Sequence, residues 1–144
     1  MSKLYRTIDR IKVKVDSLEV TIAPLNKAQK IALQGNMLKA SHGNMAAAME
    51  AVSDALKYSI KDIKGISYED ENGNEQEYKL KLDANGELED ECIDDILNLD
   101  ESQKLNAICS SLIGGFNGKF VDPQGNELDG VSIVSSKKPE DPKN

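Results

Sequence analysis

The side chains that most often carry chemistry are few in this chain and poorly placed for it. His42 is the only histidine in 144 residues. It sits between Ser41 and Gly43, a break in the helical pattern, with no cysteine or carboxylate next to it. One imidazole leaves little scope for proton transfer near neutral pH. Cys92 and Cys109 both fall on apolar helical positions and read as reduced core residues, not as a disulfide or a metal pair. The phosphate-cradling patterns GxGxxG and GxxxxGK are absent, as are GxSxG, HExxH and CxxC.

Carboxylates are plentiful, and two glycine-containing loops invite a calcium reading. The EF-hand spacing rejects both. A loop counted from Asp70 has Glu75 at the sixth position, where glycine is required, and Lys81 at the twelfth, where glutamate is required. A loop counted from Asp83 has Leu88 at its sixth position. The Asp and Glu residues between 87 and 101 open a helical pattern, where the positive end of the helix dipole favours them without any catalytic role. The chain is therefore expected to be non-enzymatic and to act by binding. No catalytic, cofactor-binding or metal-ligating residue is assigned, and no cofactor is implied.

The net charge of −7 is unevenly spread. Residues 1–64 hold 11 Lys/Arg against 6 Asp/Glu, a surplus of five positive charges. Residues 65–101 hold 2 against 14, a surplus of twelve negative ones, and residues 102–144 balance at 5 and 5. Nucleic-acid binding needs clustered Lys and Arg, so the middle third argues against it. That third is either a solvated face or a site for a basic partner. No apolar run approaches the 18 or so residues that span a bilayer, and the first ten residues lack the apolar core of a secretory signal. A cytoplasmic protein without membrane contact is the resulting expectation.

The elements that must carry these surfaces follow from periodicity. Residues 10–15 and 18–22 alternate with period two, and a two-residue turn at Asp16-Ser17 pairs Val15 with Leu18, Val13 with Val20 and Ile11 with Ile22. All six apolar side chains then share one face. Asn26 opens a helix to about residue 39, with Ala28, Ile31, Ala32 and Leu38 expected inward and Lys27, Lys30 and Gln34 outward. Residues 44–64 read as one long central helix, capped by Asn44, closed by Gly65, and striped with Met45, Ala48, Met49, Val52, Ala55, Leu56, Ile60 and Ile63. Alternation returns from Ile66 to Leu82 around Asn72-Gly73, a second hairpin, with Tyr78, Leu80 and Leu82 on one face of its second strand. An acidic helix follows at about 89–97. Asp100 to Gln103 has the form of a capping box for a last helix that ends at Gly114-Gly115. Phe120-Val121, a turn at 122–126 and residues 131–133 suggest a short hairpin or a loose extension. The fold class is α+β: a small helical core around the 44–64 helix with hairpins at the N-terminus and in the middle. Residues 1–134 form one domain, and residues 135–144 a polar tail that buries too little apolar surface to order itself.

This order of parts resembles the tail assembly chaperones of long-tailed bacteriophages. The resemblance rests on Thr21-Ile22-Ala23-Pro24-Leu25 leading straight into a helix, then on Ile60-Lys61-Asp62-Ile63-Lys64-Gly65-Ile66. An acidic glycine loop and Leu97-Asn98-Leu99-Asp100 before a final helix complete it. It spans about residues 11–113 and rests on short, non-catalytic signals. It implies a protein of the infected host's cytoplasm that binds the tape measure protein, recruits tail tube subunits, and is absent from the finished virion. It also implies a longer form made by frameshifting near Lys137-Lys138. Weak homo-oligomers are expected, with the basic first segment and the acidic middle as complementary faces. The two well-supported hairpins depart from a family that is often mainly helical. A structural tail or head–tail joining protein, and an acidic adaptor or inhibitor of a host protein, are the alternatives.

Overall fold

The structure, a computed structural model, describes residues 4–121 and 124–137. Its centre is the first hairpin. Strands β1 (Arg10–Val15) and β2 (Leu18–Ile22) pair in the register the alternation predicts, Ile11 opposite Ile22, Val13 opposite Val20 and Val15 opposite Leu18. All six are buried while Lys12 and Lys14 face out. The two-residue turn needs a positive φ, and Asp16 supplies it at 54°. Asp16 is also held from outside: its N–H donates to the Gly130 carbonyl at 2.8 Å and its carboxylate accepts from Lys104 Nζ.

Two more antiparallel strands, β3 (Ile60–Lys64) and β6 (Val131–Lys137), complete a four-stranded sheet in the order β3-β2-β1-β6. Both correct the sequence reading. Strand β3 (Ile60–Lys64) occupies the last five residues of the expected 44–64 helix. Helix α2 therefore runs only over Met45–Ser59, and the long central helix does not form. The segment Ile60-Lys61-Asp62-Ile63 fits helical spacing because its two isoleucines stand three apart. The sheet accommodates that spacing with a β-bulge: Thr21 pairs with Asp62 and Ile22 with Ile60, so Lys61 is the extra residue and both isoleucines are buried. Gly65 closes this strand, not a helix. Its φ is 103°, and a Cβ there would lie 2.9 Å from the Ser17 carbonyl oxygen, so the close approach requires glycine.

Strand β6 (Val131–Lys137) pairs with β1 at the opposite edge and continues three residues into the expected tail, with Ser135, Ser136 and Lys137 opposite Lys12, Ile11 and Arg10. A second bulge leaves Val134 unpaired and exposed. The rest of the expected tail, 138–144, lies outside the described residues, as do positions 122 and 123 of the expected turn. Of the short hairpin expected there, a single bridge between Val121 and Glu127 is present. Tyr5 stacks edge-on against Phe116, with ring centroids 4.8 Å apart, and Phe116 meets Phe120 at 5.1 Å. This aromatic group ties residues before β1 to those after the helices.

Helix α1 (Lys27–Ser41) starts at Asn26 in a full capping box with Gln29, and α2 starts at Asn44, whose side chain accepts from Ala47 N–H. The face of α1 differs from expectation. Leu33 is its buried residue, whereas Ile31 and Leu38 are 59% and 62% exposed and Ala28 and Ala32 also face solvent. The helix carries apolar residues on two opposite sides, so spacing alone could not choose between them. Helix α2 buries Ala47, Ala51, Asp54, Ala55, Leu56 and Ser59, but Met45 and Met49 are 75% and 73% exposed and Val52 is half-buried. Its contact with α1 includes a hydrogen bond from Asn36 Nδ2 to Asp54 Oδ2 at 3.0 Å. Burial, and then the Glu50 carboxylate, push the Asp54 carboxyl above its usual range.

Helices α3 (Asp90–Leu97) and α4 (Ser102–Ser111) pack on α2, and a 3-10 turn at Leu112–Gly114 extends α4. The capping box expected at 100–103 is absent: Glu101 is the N-cap and makes no side-chain cap bond. Leu105, Ile108, Cys109 and Leu112 join the strands in one core. The fold is α+β, with four helices, a four-stranded and a two-stranded antiparallel sheet among the described residues.

Candidate functional site

The acidic third of the chain builds a concave surface. Strands β4 (Ser67–Glu69) and β5 (Glu75–Glu77) form the second hairpin, joined by a five-residue turn. The Asp70 carboxylate organises that turn: Oδ1 accepts the N–H groups of Asn72 and Asn74, both at 2.9 Å. The next loop repeats the device, with Asp83 Oδ1 accepting from Asn85 and Glu87 N–H. These are the two loops with calcium-like composition. Their leading carboxylates are spent on their own backbone, as Asx turns are. Among the described residues no group of three or more His, Cys, Asp or Glu side chains could hold a metal ion.

The turn sets the register Glu69 opposite Glu75, so the ladder strand ends at Glu77, before the alternating residues 78–82 expected to form it. That stretch instead runs against α3. Tyr78 N–H donates to the Ile66 carbonyl at 2.9 Å, Lys81 N–H to Cys92 Sγ at 3.4 Å, and Glu89 N–H returns to the Lys81 carbonyl at 3.1 Å. Helix α3 is strongly two-sided: Cys92, Ile93 and Ile96 are buried, while Glu91, Asp94 and Asp95 face out.

Between the hairpin and α3 lies a groove of about 580 Å³. Its lining holds Ile66, Tyr68, Tyr78, Ile96 and Leu99, with Glu77, Glu91 and Asp95 beside Lys79 and Lys81. Tyr68 and Tyr78 meet edge-on at 6.3 Å. The Tyr78 hydroxyl donates to Asp95 Oδ2 at 2.6 Å, which tethers the hairpin side to the helix. Desolvation, and then the Asp95 acceptor, push that phenol well above its usual range, so it stays a proton donor at any physiological pH. An exposed ion pair, Lys81 to Glu91 at 3.7 Å, lies in the same lining. Two aromatic rings and the part-exposed Ile66 and Leu99 offer area, and carboxylates and lysines offer orientation.

The residues first considered for chemistry are placed elsewhere. His42 is exposed in the turn after α1, where its N–H closes on the Ala40 and Lys39 carbonyls. Cys109 is fully buried, and desolvation pushes its thiol up to about 12, with the Ser59 hydroxyl pulling the other way. Such a thiol is not a nucleophile at neutral pH. Cys92 lies under the groove as a sulfur acceptor. The groove itself was not read from sequence. Its one signal was the pair of tyrosines in an alternating stretch next to an acidic helix. No helix among the described residues is long and apolar enough to cross a membrane. No known family model, curated protein or solved structure matches the chain.

Proposed function

We propose that this chain is a non-enzymatic binding protein that holds a basic, partly apolar segment of another polypeptide in the groove between the second hairpin and α3. The groove carries the reading: apolar side chains, two tyrosines and a lining of three carboxylates against two lysines lie in the segment whose charge is most negative. An apolar residue of the partner would fill the groove, and flanking Lys or Arg would meet Glu77, Glu91 and Asp95. Opposite charge steers such an encounter and fixes its register. Charges left solvated contribute less affinity than the buried aromatic contact.

The order of elements in residues 11–113 supports a more specific proposal, that the protein is a tail assembly chaperone of a long-tailed bacteriophage. In this reading the partner is the tape measure protein, held soluble in the host cytoplasm while tail tube subunits are recruited. The chaperone is then absent from the finished particle. Weak self-association through the basic and acidic segments completes the proposal, and light scattering should show it weakening with salt.

The test is co-expression with the tape measure protein of the same phage, followed by affinity capture and mass spectrometry. Capture is expected for the native chain and lost in Tyr68→Ala and Glu91→Lys, two exposed positions whose replacement leaves the core untouched. Capture that survives both substitutions would remove the groove from the mechanism. Recovery of the protein in purified virions would favour a structural component over a chaperone.

A further inference from the structure

The dipeptide Asn-Gly occurs at 72–73, 85–86 and 117–118. It is the pair most prone to react with itself, because glycine has no side chain to obstruct the approach of its backbone nitrogen to the preceding amide. In all three pairs the asparagine is exposed, and the glycine has a positive φ of 79°, 75° and 97° in turn. Local sequence and exposure therefore treat the three alike. Hydrogen bonding does not.

Asn72 and Asn85 each stand two residues after an aspartate that holds the whole turn. Asp70 Oδ1 accepts from Asn72 and Asn74 N–H, and the Asp70 carbonyl accepts from Gly73 N–H at 3.0 Å. Asp83 does the same: Oδ1 accepts from Asn85 and Glu87 N–H, and its carbonyl from Gly86 N–H at 3.0 Å. Three successive N–H groups are thus committed in each loop, and the middle one belongs to the nitrogen that would have to attack. That nitrogen cannot lose its proton and turn on the side chain until its hydrogen bond opens.

Asn117 has Gly115 in the place of that aspartate. Among the described residues no acceptor takes the Gly118 N–H. The hydrogen bond here runs the other way: Lys119 N–H donates to Asn117 Oδ1 at 3.3 Å. That donor sits on the oxygen that gains negative charge when the amide carbon is attacked, as the donors of an oxyanion site do. We propose that Asn117 is the site of spontaneous deamidation in this chain. The Gly118 nitrogen gives its proton to solvent and bonds to Asn117 Cγ. The Cγ–Nδ2 bond breaks, and the amide nitrogen takes a proton from solvent and leaves as ammonia. Water then opens the succinimide at either carbonyl, giving aspartate or isoaspartate, with no oxidation or reduction. The product adds a negative charge, and as isoaspartate a backbone methylene, between Phe116 and Phe120, whose rings join Tyr5 to the end of the helices.

The experiment keeps the folded full chain in mildly alkaline buffer, digests aliquots at acid pH and quantifies the three Asn-Gly peptides by mass spectrometry. Aspartate and isoaspartate should accumulate at 117 about tenfold or more faster than at 72 or 85, the factor expected when one N–H···O bond must first open. In guanidinium chloride the three rates should converge, since the dipeptide is the same. In the folded chain Asp83→Ala should release Asn85, and Asp70→Ala should release Asn72. The two substitutions lie in separate loops, so either carries the test if the other does not fold. Asn117→Gln should remove the early product. Conversion at 72 or 85 that keeps pace with 117 in the folded chain overturns the proposal. So does a difference that persists undiminished in guanidinium chloride, or protection that survives both aspartate substitutions.

Discussion

The chain contains two antiparallel hairpins, and they are held by different forces. In β1–β2 every second residue is buried, both strands have a neighbour on each side of the pair, and the register is the one that puts six apolar side chains in the core. In β4–β5 all six strand residues are exposed, and among the described residues no third strand joins them. That hairpin is shaped by an Asx turn at Asp70 and moored by Tyr78 to Asp95. A one-residue slip in the first would bury Lys12 and Lys14. A slip in the second would cost only local hydrogen bonds. The first hairpin is scaffold, and the second is held by its own turn and one tether.

The sharpest way to break this comparison is to put a charge in each hairpin. Val13→Asp places an unpaired carboxylate in the core and should cost about 3 kcal/mol or more, enough to unfold a marginal domain. Tyr68→Asp, at a half-exposed site, should cost less than about 1 kcal/mol. Urea denaturation of both variants checks it. Equal losses would mean that the second hairpin belongs to the cooperative core.

Helix α2 repeats the contrast along one apolar stripe. Met45, Met49, Val52 and Leu56 follow one another at helical spacing, yet exposure falls from 75% at Met45 to zero at Leu56. Leu56→Asp should therefore approach the cost of Val13→Asp, whereas Met49→Asp should stay within about 0.5 kcal/mol of the native chain. A large loss at Met49 would point to a covered surface, as in a homo-oligomer.

These contrasts also show which parts of the fold were legible in the sequence. The first hairpin was readable to the residue because pattern and turn chemistry agreed there. The caps at Asn26 and Asn44 were readable because they depend on local geometry alone. The boundary at Ser59 was not, because the bulge at Lys61 gives a strand the isoleucine spacing of a helix. The inward face of α1 was not either, since Leu33 competes with Ile31 and Leu38 on the opposite side. Strand β6 escaped because its partner β1 lies more than a hundred residues earlier and its own alternation breaks at Val134. The groove was legible only as composition: the charge of residues 65–101 was plain, but which tyrosine meets which carboxylate depends on how 78–82 crosses α3.

A smaller effect tests the mooring. Tyr78→Phe removes a short hydrogen bond to a carboxylate while keeping the ring. The site is partly solvated, so the expected cost is about 1 kcal/mol, below the range for fully buried charged partners. Amide exchange should quicken at Tyr78 and Glu77 and remain unchanged at Val13 and Val20. Uniform quickening across both hairpins would mean that the tether supports the whole domain.

The smallest effect is acidification of the Asp70 turn. Backbone N–H donation from Asn74 holds this carboxyl below its usual value of 3.8, with Asn72 and Gln76 helping. A depressed carboxyl pKa in the folded turn means that the unfolded turn binds the proton more readily. Its stabilisation is thus fully present above about pH 4 and is lost as pH falls through the lower, folded value. The turn lies at the surface outside the core, so global stability should hardly register the change. The local prediction is specific: as pH drops below 3.8, amide signals of Asn72, Asn74 and the β4–β5 pairs should broaden or shift before any in β1–β2. Asp70→Asn, which keeps a side-chain acceptor without the titration, should retain the turn and abolish that early transition. Asp70→Ala should loosen the turn at every pH. Both hairpins responding together in the native chain, or Asp70→Asn leaving the transition in place, would show that the turn is held by something other than this carboxylate.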